Sequence, residues 1–216
     1  MDPAEFERLL KHVRSDHAER LALGSLLWPR QVLWFADVVE LAVYTGLRRS
    51  ELSRLRWRDV SLDADSPTLY VRNTATGKTK SGNERPVPLV PPALQLLQRL
   101  QEARTNEDAD APVLLSGDPR RGPKPICGST TAEWFKEYAQ KAKLDDALTL
   151  HSTRKTCGTW LLNAGVDMAV VQHILGHSSI LTTESVYTAV WDRTIREQIN
   201  QASCRRPPRW WPRKRR

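Results

Sequence analysis

The stretch from residue 30 to 45 constrains the chain more than any other. Its apolar residues (Val32, Phe35, Val38, Val39 and Val43) run nearly all the way round a helical wheel, and Gly46 then supplies a stop. A helix without a polar face has to be surrounded, so the remaining elements must wrap it. Most of them read as helices. Residues 3–13 set Phe6, Leu9, Leu10 and Val13 at helical spacing behind Pro3. Further helices are predicted over 49–56, 91–104, 129–143, 151–164, 167–175 and 180–203, with Asp167 as an N-cap and Gly165 and Gly176 as C-terminal stops. Residues 68–73 and 85–89 read instead as strands flanking the polar stretch TATGKTKSGNE, a hairpin or three-stranded sheet in which Pro86 and Pro88 mark an edge strand. Residues 105–125, acidic and flanked by proline, read as a surface loop. The expected fold class is mainly α with a small antiparallel β-sheet (α+β).

Charge and cysteine content narrow the function classes. The 216 residues hold 33 Lys+Arg against 25 Asp+Glu, a formal charge of +8, which points to a polyanionic partner. The surplus is not spread evenly. Seven cations fall in residues 205–216, RRPPRWWPRKRR, which hold no acid, so residues 1–204 keep 26 cations against 25 anions. Cys127, Cys157 and Cys204 are scattered and odd in number, which offers no disulfide framework or CxxC metal site and suits a reducing cytosol. The charged first thirty residues exclude a signal peptide, and no run of eighteen apolar residues could span a bilayer. The HExxH, P-loop, GxGxxG and GxSxG patterns are missing.

Three stretches carry chemistry, and each has an ordinary reading. In Thr45-Gly46-Leu47-Arg48-Arg49-Ser50-Glu51-Leu52, Glu51 stands three residues after Arg48, within pairing reach. Taken alone this is a helix–helix junction with a surface ion pair; the functional reading is an arginine held by Glu51 and aimed at an anion. In Leu150-His151-Ser152-Thr153-Arg154, the i, i+3 spacing puts His151 and Arg154 on one face at a helix start, where free N–H groups and the dipole suit a phosphate. Alone, it is a partly buried His beside an exposed Arg. In Leu175-Gly176-His177-Ser178-Ser179, the histidine is followed ten residues later by Tyr187, within Val186-Tyr187-Thr188. Alone, these are a loop histidine and a core aromatic.

All three stretches in this order resemble the catalytic domain of the tyrosine site-specific recombinases, the phage-integrase and Xer-type family. TGLRRSEL matches the first box of that family, HSTR the HxxR box, LGHSS the second histidine box and SVYTAV the nucleophile segment. The resemblance implies the tyrosine recombinase catalytic-domain fold and a catalytic set of Arg48, Lys80, His151, Arg154, His177 and Tyr187. It places the lysine in the β-hairpin, where Lys80 fits best and Lys78, two residues earlier, competes. It implies that Tyr187 attacks a DNA phosphate to leave a 3′-phosphotyrosyl enzyme, without metal, nucleotide or other cofactor. Arg48 and Arg154 would grip the non-bridging oxygens, since guanidinium forks match that geometry. His151 would act as base, Lys80 as acid, His177 as a phosphate ligand and Glu51 as a support for Arg48. Among the other tyrosines, Tyr44 reads as core, Tyr70 as a strand residue and Tyr138 as a helix residue.

The resemblance also sets expectations for the whole chain. Residues 1–204 read as the catalytic domain, with residues 205–216 as a basic, disordered tail. Members of the family usually carry an N-terminal helical domain; Met1-Asp2-Pro3-Ala4-Glu5-Phe6 already looks like the start of the catalytic part. The tail is either solvated or a nonspecific DNA contact made by cations and stacking Trp210 and Trp211. Double-stranded DNA is the implied partner, with a homotetramer on paired sites, a monomer in solution, no membrane and a cytoplasmic location. Two alternatives stay open: a type IB topoisomerase-like nicking–closing enzyme, and a DNA-binding regulator that has lost catalysis.

Overall fold

Helix α2, Trp34–Thr45, occupies the centre, and every residue of it except Tyr44 is buried. The computed structural model describes residues 1–22, 34–63, 65–73, 84–104, 106–118 and 122–176. Helix α1 (Pro3–Ala22) opens with a reciprocal cap: Glu5 N–H donates to Asp2 Oδ1 and Asp2 N–H to Glu5 Oε2, each at 2.8 Å. It lays Phe6, Leu9, Leu10 and Val13, all essentially without exposure, into the core around α2. Phe6 meets the edge or face of Tyr44 and Trp160 at 5.7 and 5.5 Å between ring centroids. Phe35 stacks on Tyr138 at 5.4 Å. Burying a phenylalanine in this way contributes about 2–3 kcal/mol.

Two acids of α2 are buried with the apolar residues and find partners on the helices around it. Asp37 accepts from Arg99 Nη2 at 2.7 Å, and Glu40 pairs with Arg14. Arg99 comes from α4 (Pro91–Ala103), whose prolines at the first helical positions lack an N–H that would be unpaired there anyway. Burial pushes both carboxyls above their ordinary range, and the two arginines pull back against it.

After α2, Gly46 turns the chain with φ +64, and the short helix α3 (Arg49–Arg54) follows. A single 3₁₀ turn, Trp57–Asp59, leads into a three-stranded antiparallel sheet of β1 (Val60–Ser61), β2 (Thr68–Val71) and β3 (Arg85–Pro88), in that order. β3 is an edge strand, as its prolines require; Pro86 pairs with Tyr70 and Pro88 with Thr68. Part of the stretch expected as a loop is instead a second hairpin, β4 (Leu115–Asp118) with β5 (Gly122–Pro125). LSGD and GPKP hold no β-branched or aromatic residue, so nothing in their composition announces strands; the pairing makes them.

Helices α5 (Gly128–Lys141), α6 (Ser152–Asn163) and α7 (Met168–Leu175) complete the described part. α6 packs on α2, and α7 lies against both α6 and β3. Asp167 caps α7 by accepting from Ala169 N–H at 2.7 Å, and Gly176 ends it with φ +63. The expected helix over 180–203 lies outside the described residues, as does the basic tail. No described helix is long and apolar enough to cross a membrane.

Candidate active site

The carboxyl end of α7 is where the chain brings its arginines together. The last carbonyls of any helix have no intrahelical partner and carry the negative end of the dipole. Here three successive carbonyls each receive a different guanidinium. Ile174 O accepts from Arg85 Nε at 2.7 Å, Leu175 O from Arg154 Nη2, and Gly176 O from Arg48 Nη2 at 2.8 Å. The arginines come from strand β3, helix α6 and the N-cap of α3, so packing of those elements, not local sequence, assembles the cluster.

Close backbone approach makes the cluster possible. A Cβ on Gly46 would stand 2.4 Å from Leu175 Cδ2 and 3.2 Å from Cys157 Sγ. The bare glycine therefore lets the α2–α3 corner seat on α6 and α7, and Arg154 Nη1 reaches Gly46 O at 2.8 Å. Arg154 is 4% exposed. Burial, together with the nearby charges of Arg48 and Arg85, pushes its pKa down to about 10, which still leaves it cationic at neutral pH.

One acid sits among the three arginines. Glu51, in the first turn of α3, accepts the Arg48 backbone N–H at 2.8 Å and Arg48 Nη1 at 2.9 Å. It also takes a two-pronged pair from Arg85, Nη1 to Oε1 at 3.1 Å and Nη2 to Oε2 at 2.9 Å, with both side chains 2–3% exposed. Burial alone would raise the Glu51 carboxyl. The hydrogen bonds and charge of Arg85, with those from Arg48, outweigh it and hold the pKa at about 2. Three cations against one anion leave the cluster positive.

The donors divide unevenly. A guanidinium offers five N–H groups. Arg85 commits both arms and Nε to Glu51 and Ile174. Arg48 and Arg154 each make two bonds among the described residues, which leaves donors for a non-bridging phosphate oxygen. Arg48 is the more accessible, with its side chain 18% exposed. His151 is exposed at the N-cap position of α6, one turn ahead of Arg154.

Of the six residues expected from the sequence, Arg48 and Arg154 meet at the end of α7 and His151 stands on the same helix start as Arg154. Lys80, with its competitor Lys78, lies in the 74–83 segment between β2 and β3, outside the described residues. His177, directly after Gly176, and Tyr187 lie outside them too. The competing tyrosines are accounted for. Burial pushes the Tyr44 phenol well above its ordinary value, the Tyr138 hydroxyl donates to Asp16 Oδ2 at 2.7 Å, and Tyr70 is exposed on β2 beneath Arg72. Among the described residues no three His, Cys, Asp or Glu side chains gather where a metal ion could be held. Arg85 escaped the sequence reading. Its signal was present, because alternation along β3 puts Arg85 on the same buried face as Val87, and a charged residue there demands a partner.

The model of the phage integrase family matches residues 1–193. The chain belongs to that family. Among its phage integrase relatives, the tyrosine recombinase XerA of Pyrococcus furiosus is 31% identical over 166 residues, 77% of this chain and 54% of that protein. XerA of Thermococcus kodakarensis is 34% identical over 167 residues, 76% of this chain and 54% of that protein. The chain thus spans about half the length of the curated relatives it matches. Among solved structures, the crystal structure of XerA recombinase aligns with a TM-score of 0.57 at 24% identity, covering 93% of this chain and 64% of that one. The lambda integrase catalytic core aligns with a TM-score of 0.56 at 23% identity, covering 82% of this chain and 90% of that one. A lambda integrase dimer bound to a COC′ core site aligns at 0.56 and 22% identity, covering 86% of this chain and 61% of that one. The phage integrase fold, mainly helical with small antiparallel sheets, is the one expected from the sequence.

Proposed function

We propose that residues 1–204 form the catalytic unit of a tyrosine recombinase that cuts and rejoins DNA strands through a 3′-phosphotyrosyl intermediate. The observation that carries this reading is the meeting of Arg48 and Arg154 at one helix end with donors to spare. Two separate guanidiniums converging in a positive cluster suit a phosphodiester, whose non-bridging oxygens gain charge in the transition state. That one of the neighbouring folds is a lambda integrase dimer bound to a core site supports double-stranded DNA as the partner.

In this mechanism Tyr187 attacks the scissile phosphorus. A phosphorus–phenolic oxygen bond forms as the bond to the 5′ oxygen breaks. A phenol has a pKa of roughly 10 and needs help at neutral pH. His151 takes its proton, and Lys80 delivers a proton to the departing 5′ oxygen. His177, next to the Gly176 carbonyl that Arg48 grips, hydrogen-bonds the phosphate. The phosphotyrosyl bond conserves the energy of the original ester, so an incoming 5′-hydroxyl reverses the step without ATP, metal or cofactor. Four protomers act on two paired sites in the cytoplasm, assembling from monomers, and the tail from 205 to 216 stays outside the chemistry.

Alanine replacement of Arg48 or Arg154 tests the role of the pair. Each should slow single-turnover cleavage of a nicked duplex by roughly 10²–10³-fold, far beyond its effect on binding, because these contacts strengthen in the transition state. Equal losses in rate and affinity would show them to be ground-state DNA contacts only.

A further inference from the structure

We infer that Arg85 is a positioning residue for strand cleavage, which sets Arg48 for the phosphate by holding Glu51 and the end of α7 in one register. The inference rests on the recombinase reading above, and its geometry lies entirely among described residues. Arg85 is buried, and all three of its guanidinium nitrogens are engaged within the protein. Its three bonding nitrogens go to two places: Nη1 and Nη2 to the Glu51 carboxylate, and Nε to Ile174 O.

Both places lead to Arg48. Glu51 holds its backbone N–H and its Nη1, while Gly176, two residues beyond Ile174, holds its Nη2. Without Arg85 the carboxylate would be free to turn toward Arg48 and the helix end free to drift, and Arg48 would lose the angle between its two anchors. Gly176 shows how closely this is packed, for a Cβ there would lie 2.9 Å from Arg85 Nη1. Arg85 also begins the strand that closes the segment bearing Lys80, and Gly176 precedes His177, so one buried side chain ties the roots of three candidate catalytic segments.

The test compares Arg85→Lys, which keeps the buried charge but loses the fork, with the native chain. At saturating protein on a nicked duplex, Arg85→Lys should form adduct roughly 10- to 100-fold more slowly. Its DNA affinity should stay within about threefold of the native value. Because Arg85 acts through Arg48, the double variant Arg48→Lys/Arg85→Lys should be little slower than Arg48→Lys alone. Single losses that multiply would mean that Arg85 acts elsewhere, and a native rate in Arg85→Lys would overturn the inference outright.

Should Arg85→Lys not fold, Glu51→Gln/Arg85→Gln removes both buried charges at once, and it should be no slower than Glu51→Gln. A further multiplied loss there contradicts positioning through Glu51. Guanidinium NMR without DNA gives a readout free of activity. The Arg48 Nη–H signals, assigned with Arg48→Lys, should be resolved in the native chain and averaged in the Arg85 variant, and unchanged signals would sink the inference. A native chain that forms no adduct would defeat the recombinase reading, while these spectra still decide the role of Arg85.

Discussion

Glu51 shows what a single carboxylate can organise. Folded, its pKa lies near 2, below the ordinary 4.5, so its ionised form favours the folded chain. That contribution is complete above the unfolded value and is lost as pH falls from 4.5 toward 2, on the order of 3 kcal/mol in all. Asp37 and Glu40 work in the opposite sense, since burial raises their folded values, and acid relieves rather than weakens them. The difference between native and Glu51→Gln isolates the residue. Urea melts should find the variant less stable at pH 7, with the gap closing as the pH drops through 4.5 and below. A gap that widens in acid would contradict the buried pairing with Arg85.

At the level of elements, the seat of α7 against the α2–α3 corner decides whether the arginines can meet. Gly46→Ala puts a methyl into a left-handed turn and 2.4 Å from Leu175 Cδ2. Strain and overpacking together should cost roughly 2–4 kcal/mol, seen as a lower thermal midpoint, with cleavage reduced in the fraction that still folds. An unchanged midpoint would mean that the corner is loosely packed. The same elements show how much was legible in the sequence. The buried α2, the Asp167 cap, the Gly176 stop and the edge character of β3 each follow from periodicity or from one residue with one strong preference. The β4–β5 hairpin was not legible, because its strands are made by pairing and not by propensity. The Arg48–Glu51 pair could be read from i, i+3 spacing. The burial of Arg85 could be read from its alternation with Val87, but its partners could not, since they lie 34 and 89 residues away and only packing brings them within reach.

For the whole molecule, the charge is divided between a nearly neutral body and a tail holding seven cations. If the tail lies along DNA, removing residues 205–216 should weaken binding and lower the slope of log affinity against log salt by up to about 6. The rate of adduct formation at saturation should not change. Binding titrations at several salt concentrations check this, and an unaltered slope would identify the tail as merely solvated. Among the described residues the site draws on a different set of charges, Arg48, Arg85 and Arg154, gathered around one helix end and one carboxylate. The measurement that tests the account most directly is covalent trapping on a duplex nicked beside the scissile phosphate. The native chain should yield a protein–DNA adduct stable to denaturation, and Tyr187→Phe should yield none; an adduct that persists in Tyr187→Phe would contradict the account at its centre.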